Sequence, residues 1–226
     1  MARTLLSADA KQQWIDEAGV YGLGKSYSAD GYDGGTSLLP YFYRGTARRL
    51  VGEHDDLLVD TVAREPESVI RFSEEFELVA LLRRAGDHWE INGYTFGNDI
   101  SDLGLVKENG ALVQLSKRID ASIARDWWAA DALPSSIPIH VDLLDGETVQ
   151  AQYDAALGTD YLKFTVDELL SFADQWKGTE AYDRLIVYTG APRGFAWHDR
   201  RLALGQTLRL TIDGETILSN TLTARN

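Results

Sequence analysis

Two glutamates, Glu75 and Glu77, stand two positions apart in the run Glu74-Glu75-Phe76-Glu77-Leu78-Val79-Ala80, whose apolar residues predict a β-strand. Residues two apart share one face of a strand, so both carboxylates point the same way. The run ends at Ala85-Gly86-Asp87-His88, a turn signal, and a second strand-like run returns from Trp89 to Phe96. With the turn centred near Gly86 and Asp87, antiparallel pairing sets residues 96 to 98 opposite Glu75 and Glu77, next to Asp99. Three carboxylates then converge at one end of a hairpin. Such a cluster repels itself, whereas a hard divalent cation neutralises it and keeps positions open for water or substrate oxygens. Magnesium or manganese suits such a donor set. The same pattern also fits an edge strand whose glutamates face solvent while Asp99 caps a turn, and spacing by itself does not choose.

The elements that must position these residues read as mostly β. Strand-like runs recur over Leu57 to Val62, Val69 to Phe72, Phe76 to Leu82, Trp89 to Phe96, Ile137 to Leu144, Arg184 to Tyr188, Thr207 to Ile212 and Thr216 to Leu222, with turn residues between them. Helical spacing is confined to two places. Ala10, Trp14, Ile15 and Ala18 follow Ser7 as an N-cap and precede Gly19, and Val166 to Trp176 carries Leu169, Leu170, Phe172 and Ala173 as an apolar stripe. The stretch from Gly22 to Gly35 is rich in Gly, Ser, Asp and Tyr and reads as a candidate active-site loop or lid, with plain disorder the alternative. No repeat or interdomain linker stands out. The expected organisation is a single catalytic domain over 1–226, with 1–40 as N-terminal helix and lid loop.

Composition narrows the function classes. At 226 residues with 44% hydrophobic and 25% charged residues, the chain has the material for a full core. Its 35 acidic against 22 basic residues give a net charge of -13, so the average surface repels a phosphate backbone and an anionic membrane. Neither nucleic acid nor membrane is an expected partner. An anionic metabolite remains compatible, because one cleft that gathers cations outweighs a screened global field. The absence of cysteine removes disulfides, thiolate catalysis and Cys-based metal sites. The N-terminal residues lack an apolar signal-peptide core, and no apolar stretch reaches about 18 residues. A cytoplasmic protein is expected.

Several segments together resemble the fumarylacetoacetate hydrolase superfamily, over roughly residues 18 to 222. Glu75-Phe76-Glu77-Leu78 is similar to its Glu-x-Glu-Leu metal motif. Gly93-Tyr94-Thr95-Phe96-Gly97-Asn98-Asp99-Ile100-Ser101 resembles its Gly-Tyr-Thr-x-Gly-Asn-Asp-x-Ser segment, whose Asp supplies the third ligand. Ser116-Lys117-Arg118-Ile119-Asp120 resembles the Ala-Lys-x-x-Asp segment that brings a lysine into the active site. Thr189-Gly190-Ala191-Pro192 and Leu204-Gly205 fall where the family has Thr-Gly-Thr and Leu-x-Pro-Gly-Asp. Four such matches in the right order weigh more than any one of them. Within the superfamily, Ala18-Gly19-Val20-Tyr21 and the segment from Pro40 to Gly52 look most like the branch that dehydrates 2-keto-3-deoxy sugar acids.

The resemblance implies a mixed β-roll around a metal site with a few flanking helices, and commonly a homodimer. It implies Mg²⁺ or Mn²⁺ on Glu75, Glu77 and Asp99, with a 2-oxo acid chelated through its carboxylate and keto oxygens. Lys117 would then be a base, if the cation and partial burial lower its pKa, or an oxyanion-stabilising cation. Asp30 and Asp33 would be lid acids, and Arg44, Arg48, Thr189 and Gly190 would bind substrate. The chain also departs from the pattern. Arg44 replaces a lysine, Ala191 a threonine and Gln206 an aspartate, and Asp30-Gly31-Tyr32-Asp33 stands where hydrolases and decarboxylases carry a His-x-x-Glu dyad. Without a lid imidazole to activate water, hydrolysis loses its usual general base, so dehydration ranks first. Carbon-carbon hydrolysis of an acylpyruvate or oxaloacetate-type decarboxylation is the rival, and a degenerate small-acid-binding protein the third reading. His54, His88, His140 and His198 show no metal spacing and read as surface or turn residues, and Trp127-Trp128 as packing at a subunit or lid interface.

Overall fold

The computed structural model describes residues 4–24, 26–28, 41–44, 50–60, 72–104, 116–117, 119–195 and 200–225, and of 41–44, 60 and 225 the backbone alone. In chain order the first elements are β1 (Thr4–Leu5), α1 (Ala8–Glu17), β2 (Gly19–Gly24), β3 (Tyr41–Arg44), β4 (Leu50–Val51), β5 (Leu57–Asp60) and β6 (Phe72–Ser73). The central hairpin β7 (Phe76–Ala85) and β8 (His88–Asn98) follows, then β9 (Ser101–Asp102), β10 (Ala121–Ile123) and β11 (Trp128–Ala129). The chain continues through β12 (Ile137–Asp145), β13 (Thr148–Leu157), α2 (Val166–Gln175), β14 (Arg184–Tyr188), β15 (Gln206–Ile212) and β16 (Glu215–Arg225). Mostly β with two α-helices among the described residues is the class expected from the sequence.

The strands form two main sheets. A nine-stranded mixed sheet runs β1-β11-β8-β7-β14-β2-β3, with β10 also on β8 and β4 on β10. A five-stranded sheet runs β13-β12-β15-β16-β5, and β6 pairs β9 separately. Two-residue connections build the hairpins. Gly86 turns β7 into β8 at φ +68, and Asp213-Gly214 turns β15 into β16 with both residues at positive φ, the backbone a tight hairpin favours.

Strand β7 shows why its sequence is an unbroken apolar run. Phe76, Leu78, Ala80 and Leu82 belong to the larger core, while Val79 and Leu81 face a second cluster with Trp14, Ile186 and Tyr188. A strand buried on both faces has no polar side to alternate with. Helix α1 covers the second cluster through Trp14, and its Ser7 side chain accepts from the Ala10 amide as the predicted N-cap. Helix α2 buries Leu169 and Ala173 in the larger core, the former worth about 1.5 to 3 kcal/mol of burial. Its Thr165 and Glu168 form a reciprocal capping box.

Three expectations are corrected. The loop expected over Gly22 to Gly35 does not start at Gly22, because Gly19–Gly24 is strand β2, parallel to β14 with Gly22 opposite Tyr188, and of the rest of that stretch 25 and 29–35 lie outside the described residues. Glycine is required at 19, where a Cβ would strike the Tyr182 and Tyr21 rings. Strand β13 was missed: its Gln and Ala residues are weak strand formers, and it lies on a sheet edge with Leu157 alone fully buried and Ala151, Tyr153 and Ala155 partly buried against the core. Of the Trp127-Trp128 pair, Trp127 is buried inside the chain, where it lines no interface, with its indole donating to Ala124 O, while the half-buried Trp128 stacks on Tyr94 at 5.4 Å. The run Leu57 to Val62 is a strand to Asp60 and Val69 to Phe72 is seen from Phe72, their remaining residues lying outside the described set. No helix among the described residues is long and apolar enough to cross a membrane.

Candidate metal centre

The β7/β8 hairpin delivers the register expected from the turn. Phe76 pairs Asn98 and Glu77 pairs Gly97, with a bulge between Leu81 and Leu82. Just beyond the paired region, the chain is pinned twice: the Glu75 amide donates to Asn98 Oδ1 at 3.0 Å, and the Asp99 amide donates to Glu75 O at 2.9 Å. These bonds fix Glu75 and Asp99 side by side. One oxygen each of Glu75, Glu77 and Asp99 lies within 4.8 Å of the others, so the three side chains meet as the sequence pattern predicts and do not line a solvated edge. Glu77 is 1% and Asp99 6% exposed, which decides against the edge-strand alternative.

Lys117 enters this cluster from a distant segment. Its Nζ donates to Glu75 Oε2 at 2.6 Å and to Asp99 O at 2.6 Å, and lies 2.9 Å from Asp99 Oδ2. Ser101 Oγ donates to the other oxygen of Glu75 at 2.8 Å. The Gly190 amide donates to Glu77 Oε2 at 2.5 Å. Each carboxylate is therefore oriented by a neighbour while the donor set stays entirely hard oxygen, the chemistry that fits Mg²⁺ or Mn²⁺.

The electrostatics follow from crowding charges out of water. Burial pushes the Glu77 carboxyl well above its usual range, and the charge of Asp99 adds to it, against the Lys117 ammonium and the Gly190 N–H. Burial alone would lower the Lys117 ammonium, but Asp99, Glu75 and Glu77 more than reverse this and raise it. That is the opposite of the lowering expected above, and its cause is the number of carboxylates around one ammonium. Behind the cluster the buried Tyr188 hydroxyl donates to Ser122 O at 2.9 Å.

The other expected site residues are placed less fully. Thr189 and Gly190 follow β14 beside the cluster. Thr189 Oγ1 donates to Leu78 O at 2.8 Å, so its proton and the Gly190 amide both hold the metal-facing strand. Arg44 ends β3 opposite Tyr21, with its backbone alone described. Arg48, Asp30 and Asp33 lie outside the described residues, as does His198. Sequence reasoning missed the positioning roles of Asn98, Ser101 and Gly190. The signal for the first two was present, since an amide and a hydroxyl flank Asp99 in one short run.

Comparison with known proteins agrees with this geometry. The model of the fumarylacetoacetate (FAA) hydrolase C-terminal family matches residues 26–223. No curated protein sequence matches the chain. Among solved structures, 2-keto-3-deoxy-D-arabinonate dehydratase complexed with magnesium and 2,5-dioxopentanoate superposes with a TM-score of 0.69 at 18% identity, covering 98% of this chain and 82% of that one. The 5-carboxymethyl-2-hydroxymuconate delta-isomerase of Mycobacterium smegmatis gives 0.66 at 20% identity, covering 94% and 81%. The 2-hydroxyhepta-2,4-diene-1,7-dioate isomerase of Mycobacterium marinum gives 0.63 at 20% identity, covering 94% and 77%. These likenesses establish a shared fold, and with the family match over most of its length they place the chain in the fumarylacetoacetate hydrolase family.

Proposed function

We propose that the protein is a divalent-metal-dependent enzyme of small 2-oxo acids, and that its reaction is dehydration of a 2-keto-3-deoxy sugar acid. The observation that carries the reading is the convergence of Glu75, Glu77 and Asp99 with Lys117 in one buried corner. Mg²⁺ or Mn²⁺ held by these three carboxylates would polarise the ketone of a 2-oxo acid and make its C3 hydrogen acidic. The chain's own residues do the remaining work. Glu75 and Asp99 hold the Lys117 ammonium where it can stabilise negative charge growing on the keto oxygen, and the same side chain becomes the base for the C3 proton only if a bound cation offsets the carboxylates that raise its pKa. Loss of that proton and of the C4 hydroxyl gives one water and a new carbon-carbon double bond.

In this reading Arg44, Arg48, Thr189 and Gly190 bind the substrate, and Asp30 or Asp33 protonates the leaving hydroxyl once desolvated. Elimination ranks above hydrolysis because it needs no activated water, and Asp30-Gly31-Tyr32-Asp33 offers carboxylates where a His-x-x-Glu pair would activate one. The fold shared with a dehydratase complexed with magnesium supports the same direction. We further propose that residues 1–226 act as one catalytic unit in a cytoplasmic homodimer, with neither nucleic acid nor membrane as a partner. Turnover of 2-keto-3-deoxy acids, acylpyruvates and oxaloacetate with Mg²⁺ or Mn²⁺ tests the reading. Dehydration of a 2-keto-3-deoxy acid supports it, whereas efficient acylpyruvate cleavage with no dehydration reverses the ranking.

A further inference from the structure

Glu74 precedes the metal-facing glutamates and is 1% exposed, yet nothing in the reaction just described uses it. Its Oε1 accepts from the Phe195 amide at 2.6 Å, and the Tyr153 hydroxyl interacts with the same carboxyl. The approach is close enough to dictate sequence, since a Cβ on Gly194 would overlap the Glu74 carboxylate and crowd its carbonyl oxygen. The Phe195 ring packs edge to face on Tyr153 at 4.9 Å, seating that end of the segment against the second sheet.

The other end of the same segment is Gly190, whose amide donates to Glu77. Residues 190 to 195 are thus tied at both ends to carboxylates of one short stretch, Glu77 at the start and Glu74 at the finish. We infer that Glu74 is a positioning residue that latches residues 190–195 across the start of β7 and so holds the Gly190 amide on Glu77. The inference rests on the metal site proposed above. Thr189 anchors the chain before Gly190 through its bonds to Leu78 O, and the Glu74 bond restrains the chain after it, so release at Phe195 removes one of the two restraints on the Gly190 amide. Glu77 would then lose the bond that orients it, and outer bonds of this kind are commonly worth about 10-fold or more in metal affinity.

The test compares Glu74→Ala, Glu74→Gln and Gly194→Ala with the unaltered chain. Hydrogen exchange of the Gly190 and Phe195 amides is read without metal, and Mn²⁺ affinity by calorimetry. Glu74→Ala should speed exchange at both amides by about 10-fold and weaken Mn²⁺ binding by about 10-fold. Glu74→Gln retains an acceptor oxygen and should stay within about two-fold of the unaltered chain on both readouts. Gly194→Ala should follow Glu74→Ala with the acid still present, which keeps the test open should the alanine variant fail to fold. Faster exchange at Phe195 alone, with Gly190 and Mn²⁺ affinity unchanged, would reduce Glu74 to a core hydrogen bond and overturn the inference. Equal damage by Glu74→Gln would overturn the acceptor role. If the unaltered chain takes up no Mn²⁺, the metal reading fails by itself, and exchange at Gly190 decides the latch.

Discussion

Lys117 and Glu75 are 42 positions apart in the chain, yet the Lys117 Nζ lies 2.6 Å from Glu75 Oε2. At 3% exposure the ammonium is held almost wholly out of water, among carboxylates that gain from its charge as much as it gains from theirs. The pair links the two halves of the proposed chemistry, the ligand set and the cation beside it.

Replacing Lys117 by Met should therefore act on both stability and turnover. Removing one partner of a buried charge cluster costs about 3 to 5 kcal/mol, because the remaining carboxylates repel without compensation. A divalent cation supplies the missing positive charge, so Mn²⁺ should raise the melting temperature of Lys117→Met more than that of the unaltered chain. On the active substrate kcat should fall by about 100-fold or more, while Mn²⁺ affinity does not weaken. Scanning calorimetry with and without Mn²⁺ checks the first outcome, and steady-state kinetics the second.

The double substitution Glu75→Gln/Asp99→Asn should abolish Mn²⁺ uptake. Both side chains keep their shape and a carbonyl oxygen, but the cluster loses two of the negative charges that attract the cation. Calorimetry showing unchanged affinity would locate the metal elsewhere.

The hairpin was the most legible part of the sequence, because a turn signal fixes register and register fixes neighbours. Gly86 placed Glu77 opposite Gly97, and the end of the hairpin brought Asp99 beside Glu75. Ser7 likewise marked the start of α1. The position of Lys117 was not readable from spacing, since its contacts cross two segments remote in sequence, and only the motif resemblance pointed to it. Glu74 passed as one more acidic residue because its partner, the Phe195 backbone amide, leaves no trace in side-chain identity. Strand β13 was illegible because an edge position relaxes the demand for β-branched and aromatic residues.

His140 on β12 should titrate above the usual imidazole range. Its Nδ1 lies 2.7 Å from Asp154 Oδ1 and its Nε2 3.2 Å from Asp142 Oδ1, and the bond to Asp154 is the main cause of the rise. Arg209 also binds Asp142, at 2.7 Å, and so tempers that carboxylate's pull. A raised folded-state pKa means the contribution to stability is complete below the unfolded value of about 6.5 and fades as pH rises through the folded value. The group is partly exposed, so salt should shrink the effect. Proton NMR of the imidazole across pH 5 to 9 checks the direction, and Asp154→Asn should move the midpoint down.

Gly97→Ala tests how tightly the floor of the candidate site is packed. Gly97 lies opposite Glu77, and a Cβ there would come within 2.5 Å of the Tyr188 ring and 2.7 Å of Ser122 O. The ring could tilt away only by loosening the hydroxyl bond it makes to that same carbonyl, and the carbonyl belongs to β10, which pairs with β8 at Ser122↔Asn98. Overpacking of this kind costs about 1 to 3 kcal/mol, which urea denaturation would read as a lower midpoint at unchanged slope. Shortening Tyr188 to Leu in the same chain should recover only part of the loss, because the clash with the β10 backbone remains. Full recovery would mean that the ring alone sets the need for glycine, and that β10 is free to shift away from β8.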